Sequence, residues 1–159
     1  MDLTYVHMHI HTSQMENPEK NLGPRACHCF AARQLARHVT KLYERHMAPA
    51  GITGTQMSIL AFLHEADGMT IGELAAAMGM DRTTLIRALK PLQAGGLVLS
   101  GAVAGSGRQL RHSVSPAGIR KIKEATPLWA AAQLEYETQM GQQPARQLRH
   151  KLLTMTAQS

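Results

Sequence analysis

The apolar positions of the chain fall into helical stripes separated by short stop signals. From about Arg25 to Met47, Phe30, Leu35, Val39 and Leu42 recur at helical spacing, broadened by alanines, and predict a first long helix ended by Pro49 and Gly51. Thr53 with Gln56 three residues later forms a capping box, in which a hydroxyl and an amide each satisfy a backbone donor of the other. Met57, Ile59, Leu60 and Leu63 then supply the apolar face of a second helix, closed by Asp67-Gly68. Thr70 and Glu73 repeat the capping box, Ile71, Leu74, Ala75 and Met78 follow, and Gly79 suits the left-handed position after a short helix. One linking residue later Asp81 caps the next helix, in which Leu85, Ala88, Leu89 and Leu92 face inward as far as Gly95-Gly96. Pro91 removes one backbone donor close to its end, where the loss costs little.

The period then changes from helical to alternating. Leu97 to Ser100 and Leu110 to Val114 read as short strands on either side of the glycine-rich tip "GAVAGSGRQ". Alternation sets Arg111 and Ser113 on one side and Leu110, His112 and Val114 on the other. Ser115-Pro116 starts a long helix to about Met140, with Ile119, Ile122, Ala125, Leu128, Trp129, Ala132 and Tyr136 apolar and Pro127 as a point of bending. Gly141 breaks it, and Pro144 opens a last helix carrying Leu148, Leu152, Leu153 and Met155. Residues 1–22 are polar and mixed and read as a flexible tail. The expected organisation is therefore tail (1–22), N-terminal helix (23–50), compact lobe (51–114) and C-terminal helices (115–159). The fold class is mainly α with a small two-stranded β-wing.

Composition supports this class, since 44% of the residues are hydrophobic but only 4% aromatic, with Ala, Leu and Met prominent. Charge adds a direction. The net charge is +6, and from Asp81 to Arg120 the basic residues Arg82, Arg87, Lys90, Arg108, Arg111 and Arg120 stand against Asp81 alone. A local positive field of this kind suits a polyanionic partner. Two short helices joined by a tight turn, the second one basic, make a helix-turn-helix, and the hairpin after it makes the motif winged. Arg82, Thr83 and Thr84 occupy the first turn of that second helix, the end that enters a DNA major groove. There Arg can donate two bonds to guanine and Thr can meet a thymine methyl or a phosphate. Arg87 and Lys90 lie further along, where phosphates run, and Arg108 and Arg111 on the hairpin reach backbone or minor groove. Thr70, at the head of the preceding helix, joins this DNA-facing set.

The blocks "TQMSILAFL", "MTIGELAAAMGMDRTTLIRALKPLQAGGLV" and "GRQLRHSVSPAGIRKI" resemble the multiple-antibiotic-resistance regulator (MarR) family, most specifically in "MDRTTLIRALKPL". The resemblance spans roughly Arg25 to Tyr136. It implies a winged helix-turn-helix homodimer joined through its N- and C-terminal helices, and a repressor released by a small ligand or by oxidation. Two positions depart from the family pattern. Ser106 stands where the wing usually carries an Asp, and Ser115-Pro116 replaces the usual exit from the wing. The apolar terminal helices support dimerisation independently, because alone they would leave a large exposed patch. A two-fold pair would set two recognition helices about 34 Å apart on a palindromic double-stranded operator.

Cys27 and Cys29 are one residue apart, a poor spacing for a mutual disulfide. At a helix start, with Arg25, His28 and Arg33 nearby, three readings stand: unreactive interface thiols, an oxidation sensor, or Cys-His-Cys ligation of a soft metal or arsenite. The peroxide-sensing relatives support their cysteine with tyrosines from the next helix, and Thr53 to Asp67 has none. Arg33, Arg37, His38 and Tyr43 are candidates to line a pocket for a small aromatic or lipophilic acid, with Met57 and Met69 assigned to the core. His7, His9 and His11 alternate in the tail, but no fourth ligand accompanies them and no metal site is expected. No catalytic constellation or phosphate-binding loop is present, so neither an enzyme nor a cofactor is expected. No secretory signal or membrane-length run appears, and a reduced cytoplasmic protein with no membrane partner is expected. The alternative function is a helical protein-interaction adaptor with a basic face and no DNA specificity.

Overall fold

The computed structural model describes residues 23–102 and 110–156. The chain divides into two compact units, one ending at Ala36 and the other running from Arg37. In the first, a 3-10 turn (Pro24–Ala26) precedes the start of helix α1 (His28–Met47). Cys27 takes the capping position, its Sγ accepting from the Phe30 N–H at 3.5 Å. A serine or aspartate oxygen usually fills that role. Cys27 and Cys29 are both free and exposed.

In the second unit the end of α1 is followed by α2 (Gly54–Glu65), the two-residue strand β1 (Met69–Thr70), α3 (Ile71–Met78) and α4 (Arg82–Ala94). Strands β2 (Val98–Ala102) and β3 (Leu110–Val114) come next, then α5 (Pro116–Met140) and α6 (Gln142–Thr156). The boundaries follow the capping chemistry. Both halves of each capping box form, Thr53 with Gln56 and Thr70 with Glu73. Gly79 ends α3 with φ 59°, a left-handed conformation that glycine adopts without the clash a β-carbon would bring. Ser115 caps α5 by accepting from the Gly118 N–H at 3.0 Å, while its hydroxyl donates to the Gly96 carbonyl at 2.6 Å.

The sheet contains the expected pair of wing strands and adds one more. It has three, all antiparallel, in the order β1-β3-β2. Met69 pairs with His112 and Thr70 with Arg111, so β3 is the central strand. Two residues are too few to show an alternating pattern, so β1 leaves no mark in the sequence. Leu110 is half exposed at the start of β3. β1 reaches no further than Arg111, so Leu110 has a strand neighbour only in β2, at Ala102.

The core lies between α2, α3, α4 and the sheet, where Ile59, Leu60, Leu63, Leu74, Leu85, Leu89 and Leu92 are fully buried together with Met47. Met57 is buried and Met69 packs against this core, as the sequence predicts. Gly118 brings α5 against the sheet at a distance no side chain would allow. A β-carbon there would stand 2.3 Å from the Leu97 carbonyl oxygen and 2.6 Å from Val114 Cγ1. Among the described residues, no helix is long and apolar enough to cross a membrane.

Candidate nucleic-acid interface and a neighbouring cavity

Asp81 sets the start of α4. Its Oδ1 accepts from the Thr84 N–H at 2.9 Å and its Oδ2 from the Thr84 hydroxyl at 2.6 Å. Those bonds, the hydroxyl one foremost, hold the Asp81 carboxyl below the usual carboxylate range. With the start fixed, Leu85, Leu89 and Leu92 turn into the core and Arg82, Thr83, Thr84, Arg87 and Lys90 are left exposed. The Arg82 guanidinium lies over the first turn of α3, 3.4 Å from where a β-carbon on Gly72 would be. Ile86, 41% exposed, shares this outer side of α4. It was not among the predicted contacts, although it falls out of step with the leucines that face the core.

Thr70 and Arg111 are placed differently from the rest of the predicted set. Thr70 is buried and its polar groups are engaged. Its hydroxyl accepts from the Glu73 N–H at 3.3 Å and donates to Glu73 Oε2 at 3.0 Å, and its own N–H donates to the same oxygen at 2.7 Å. Those contacts, the backbone N–H foremost, hold the Glu73 carboxyl low. The structure thus makes Thr70 a helix cap. Arg111 is exposed, yet its guanidinium donates to the Gly68 carbonyl at 2.8 Å and ties the sheet to the turn after α2. Arg108 and Ser106 lie outside the described residues, as do His7, His9 and His11.

A polar chain joins α4 to the sheet. Gln93 Nε2 donates to Ser100 Oγ at 2.9 Å, and Ser100 Oγ stands 2.9 Å from His112 Nδ1. A neutral imidazole with its hydrogen on Nε2 can accept the Ser100 proton at Nδ1. Burial agrees, pushing the His112 imidazole below its usual range.

A cavity of about 370 Å³ opens beside the turn between α3 and α4. It is lined by Val39, Thr40, Tyr43 and Glu44 of α1, by Thr53, Gly54, Thr55 and Ser58 at the head of α2, and by Met78, Met80 and Trp129. Of the four residues expected to line a pocket, only Tyr43 does so. His38 is exposed and bonds Gln139 Oε1 at 3.3 Å, Arg37 is exposed one turn before the lining stripe of α1, and Arg33 is exposed in the first unit. Helical phase accounts for His38, which falls with Arg45 on the α5 side. There Arg45 and His46 hold the two oxygens of Glu135 at 2.5 and 2.7 Å, His46 doing most to keep that carboxyl low. Tyr43 donates its hydroxyl to Gln133, and burial pushes its phenol up. Among the described residues, no group of three or more His, Cys, Asp or Glu side chains could hold a metal ion.

Comparison with known proteins bears on this geometry directly. A family model described as the MarR family matches residues 50–109, from the turn before α2 to the residue before β3. The solved structure of the transcriptional regulator MosR of M. tuberculosis in complex with DNA is 33% identical to this chain, with a TM-score of 0.72. The match covers 82% of this chain and 93% of MosR. The chain belongs to the MarR family. Its helix-turn-helix is α3–α4 and its wing is β2–β3, so this MarR-family protein is a winged-helix transcriptional regulator. Two more distant structures share the fold. A probable transcriptional regulator from Pseudomonas aeruginosa is 24% identical, with a TM-score of 0.73 and coverage of 80% of this chain and 95% of that one. CouR from Rhodococcus jostii, bound to p-coumaroyl-CoA, is 19% identical, with a TM-score of 0.70 and coverage of 85% and 95%. Comparison with curated proteins gives no match.

Proposed function

We propose that this MarR-family regulator is a homodimer that binds a palindromic double-stranded operator and acts as a repressor released by a small ligand or by oxidation. The observation that carries the DNA contact is the division of α4 into a leucine side sunk in the core and an exposed side of Arg82, Thr83, Ile86, Arg87 and Lys90. The MosR complex with DNA supports the same partner here. Arg82, Thr83 and Thr84 read base edges from the first turn of α4, while Arg87 and Lys90, with Arg108 and Arg111 on the wing, hold phosphates. Thr70 serves this face indirectly, by setting the start of α3.

Dimerisation belongs to residues 23–50 and 115–159, and DNA binding to 51–114. On α5 and α6, Leu134, Leu152, Leu153 and Met155 are 61%, 46%, 64% and 69% exposed. Apolar surface left uncovered in this way is what a second copy of the chain would bury. The cavity beside the α3–α4 turn is the place for a small aromatic or lipophilic effector, since occupying it bears on the helix-turn-helix through Met78 and Met80. Cys27 offers the oxidative route, its sulfur being exposed at the capping position of α1.

A titration of purified protein against duplex from its own upstream intergenic region, beside a scrambled duplex of equal length, tests this reading. It is run at two salt concentrations, with and without reductant. Selective binding to the upstream duplex is expected, with a steep loss of affinity as salt rises. Loss on oxidation would single out Cys27 and Cys29. Equal weak binding to both duplexes would favour the alternative of a protein-interaction adaptor.

A further inference from the structure

The chemistry of the cavity beside the α3–α4 turn selects the charge of what it binds. Among the described residues that line it, there is no lysine, arginine or histidine, and the one ionised side chain is the Glu44 carboxylate. Two of its hydroxyl groups have already spent their protons. Tyr43 donates to Gln133, and Ser58 donates to the Gly54 carbonyl at 3.1 Å. Both oxygens therefore offer lone pairs to an occupant and ask it for hydrogen. Trp129, 40% exposed, and Tyr43 add aromatic side chains to the lining, and Met78 and Met80 add methionines. Aromatic faces carry negative potential and attract cations. The head of α2 works the other way, but a helix N-terminus amounts to about half a positive charge against the full negative charge of Glu44.

We propose that this cavity takes an aromatic or lipophilic organic cation, with its ammonium group held between the Glu44 carboxylate and the rings of Trp129 and Tyr43. A carboxylic acid, the effector class expected from Arg33, Arg37 and His38, meets in this cavity the Glu44 carboxylate and two hydroxyls, Tyr43 and Ser58, turned away as donors, and its donors there are the neutral hydroxyls of Thr40, Thr53 and Thr55 and the head of α2. The volume of about 370 Å³ fits a single-ring ligand with a short chain. The inference rests on the regulator reading, since it deepens the effector assignment of the same site.

Trp129 is the chain's only tryptophan, so its fluorescence reports this cavity without a label. The experiment titrates the full-length protein with phenethylammonium, phenethyl alcohol and phenylacetate, three probes of nearly one shape that differ in charge. Binding to upstream and scrambled duplex is measured on the same preparation. The ammonium probe should bind at least tenfold more tightly than phenylacetate, with the alcohol between them. Glu44→Gln, a change at an exposed position, should bring the ammonium down to the level of the alcohol. Phenylacetate binding as well as the ammonium, or an unchanged preference in Glu44→Gln, would overturn the proposal. So would the absence of any fluorescence change with all three probes in protein that discriminates its operator. Protein that discriminates no duplex but still prefers the ammonium would keep the cation site and remove the regulator reading instead.

Discussion

At the scale of single residues, close packing and hydrogen-bond polarity decide more than charge. Gly118 is the clearest case, because a methyl group there collides with backbone at Leu97, which cannot step aside as a flexible side chain would. Gly118→Ala should cost about 1–3 kcal/mol, seen as a lower denaturant midpoint, since overpacking a close contact forces backbone shifts. His112 supplies a pH dependence with a definite sign. Its imidazole is buried neutral and titrates below its unfolded range, so the folded state binds its proton less readily than the unfolded chain does. The stability this provides is complete above the unfolded value of about 6.5 and is lost as pH falls below it toward the folded value. Melting temperatures followed downward from neutral pH should fall in the wild type, and the slope in this window should flatten in His112→Asn. Among exposed residues, Lys90→Ala should weaken all duplexes alike and shallow the logarithmic salt slope by about 1. Arg82→Ala and Thr84→Ala should instead lower the ratio of specific to nonspecific binding. If that ratio is unmoved, α4 does not read sequence.

At the scale of elements, the helices were legible because their ends are written in short-range chemistry. Thr53 with Gln56, Thr70 with Glu73, Asp81, Ser115 and Gly79 each act on neighbours within three or four residues, so reading them needs no knowledge of the fold. Thr53→Ala, which deletes one such cap, should cost about 1 kcal/mol in equilibrium unfolding, and Thr53→Ser should restore it. The basic stripe on α4 was legible for the same reason, since it follows from helical phase once Asp81 is placed. Contacts made between distant parts of the chain were not. The strand role of Met69–Thr70 depends on β3, forty residues on, and the exposure of Leu110 depends on where that short strand stops. The bond from Arg111 to Gly68 spans 43 residues. Glu44, Met80 and Trp129 meet around one cavity only after α1, the α3–α4 turn and α5 have packed. No periodicity joins them, whereas Arg37 and His38 are conspicuous in the sequence as charges on one helix and lie outside this cavity.

At the scale of the whole molecule, the exposed apolar residues of α5 and α6 set the expectation for assembly. Leu153→Glu, at a position 64% exposed, should leave the lobe folded and yield a monomer by light scattering. Operator affinity should fall by orders of magnitude, since one recognition helix would act alone. A stable wild-type monomer would remove the homodimer from the proposed function. The sheet order carries a mechanical consequence. Thr70 pairs with the wing strand at Arg111 and at the same time caps the helix that supports the recognition helix. One residue therefore ties the wing strand to the start of α3, so a tilt of either under the proposed DNA contact would load the other. If the proposed wing contact holds, amide hydrogens around Met69 and Thr70 should exchange more slowly with solvent when operator DNA is bound, as hydrogen exchange would read.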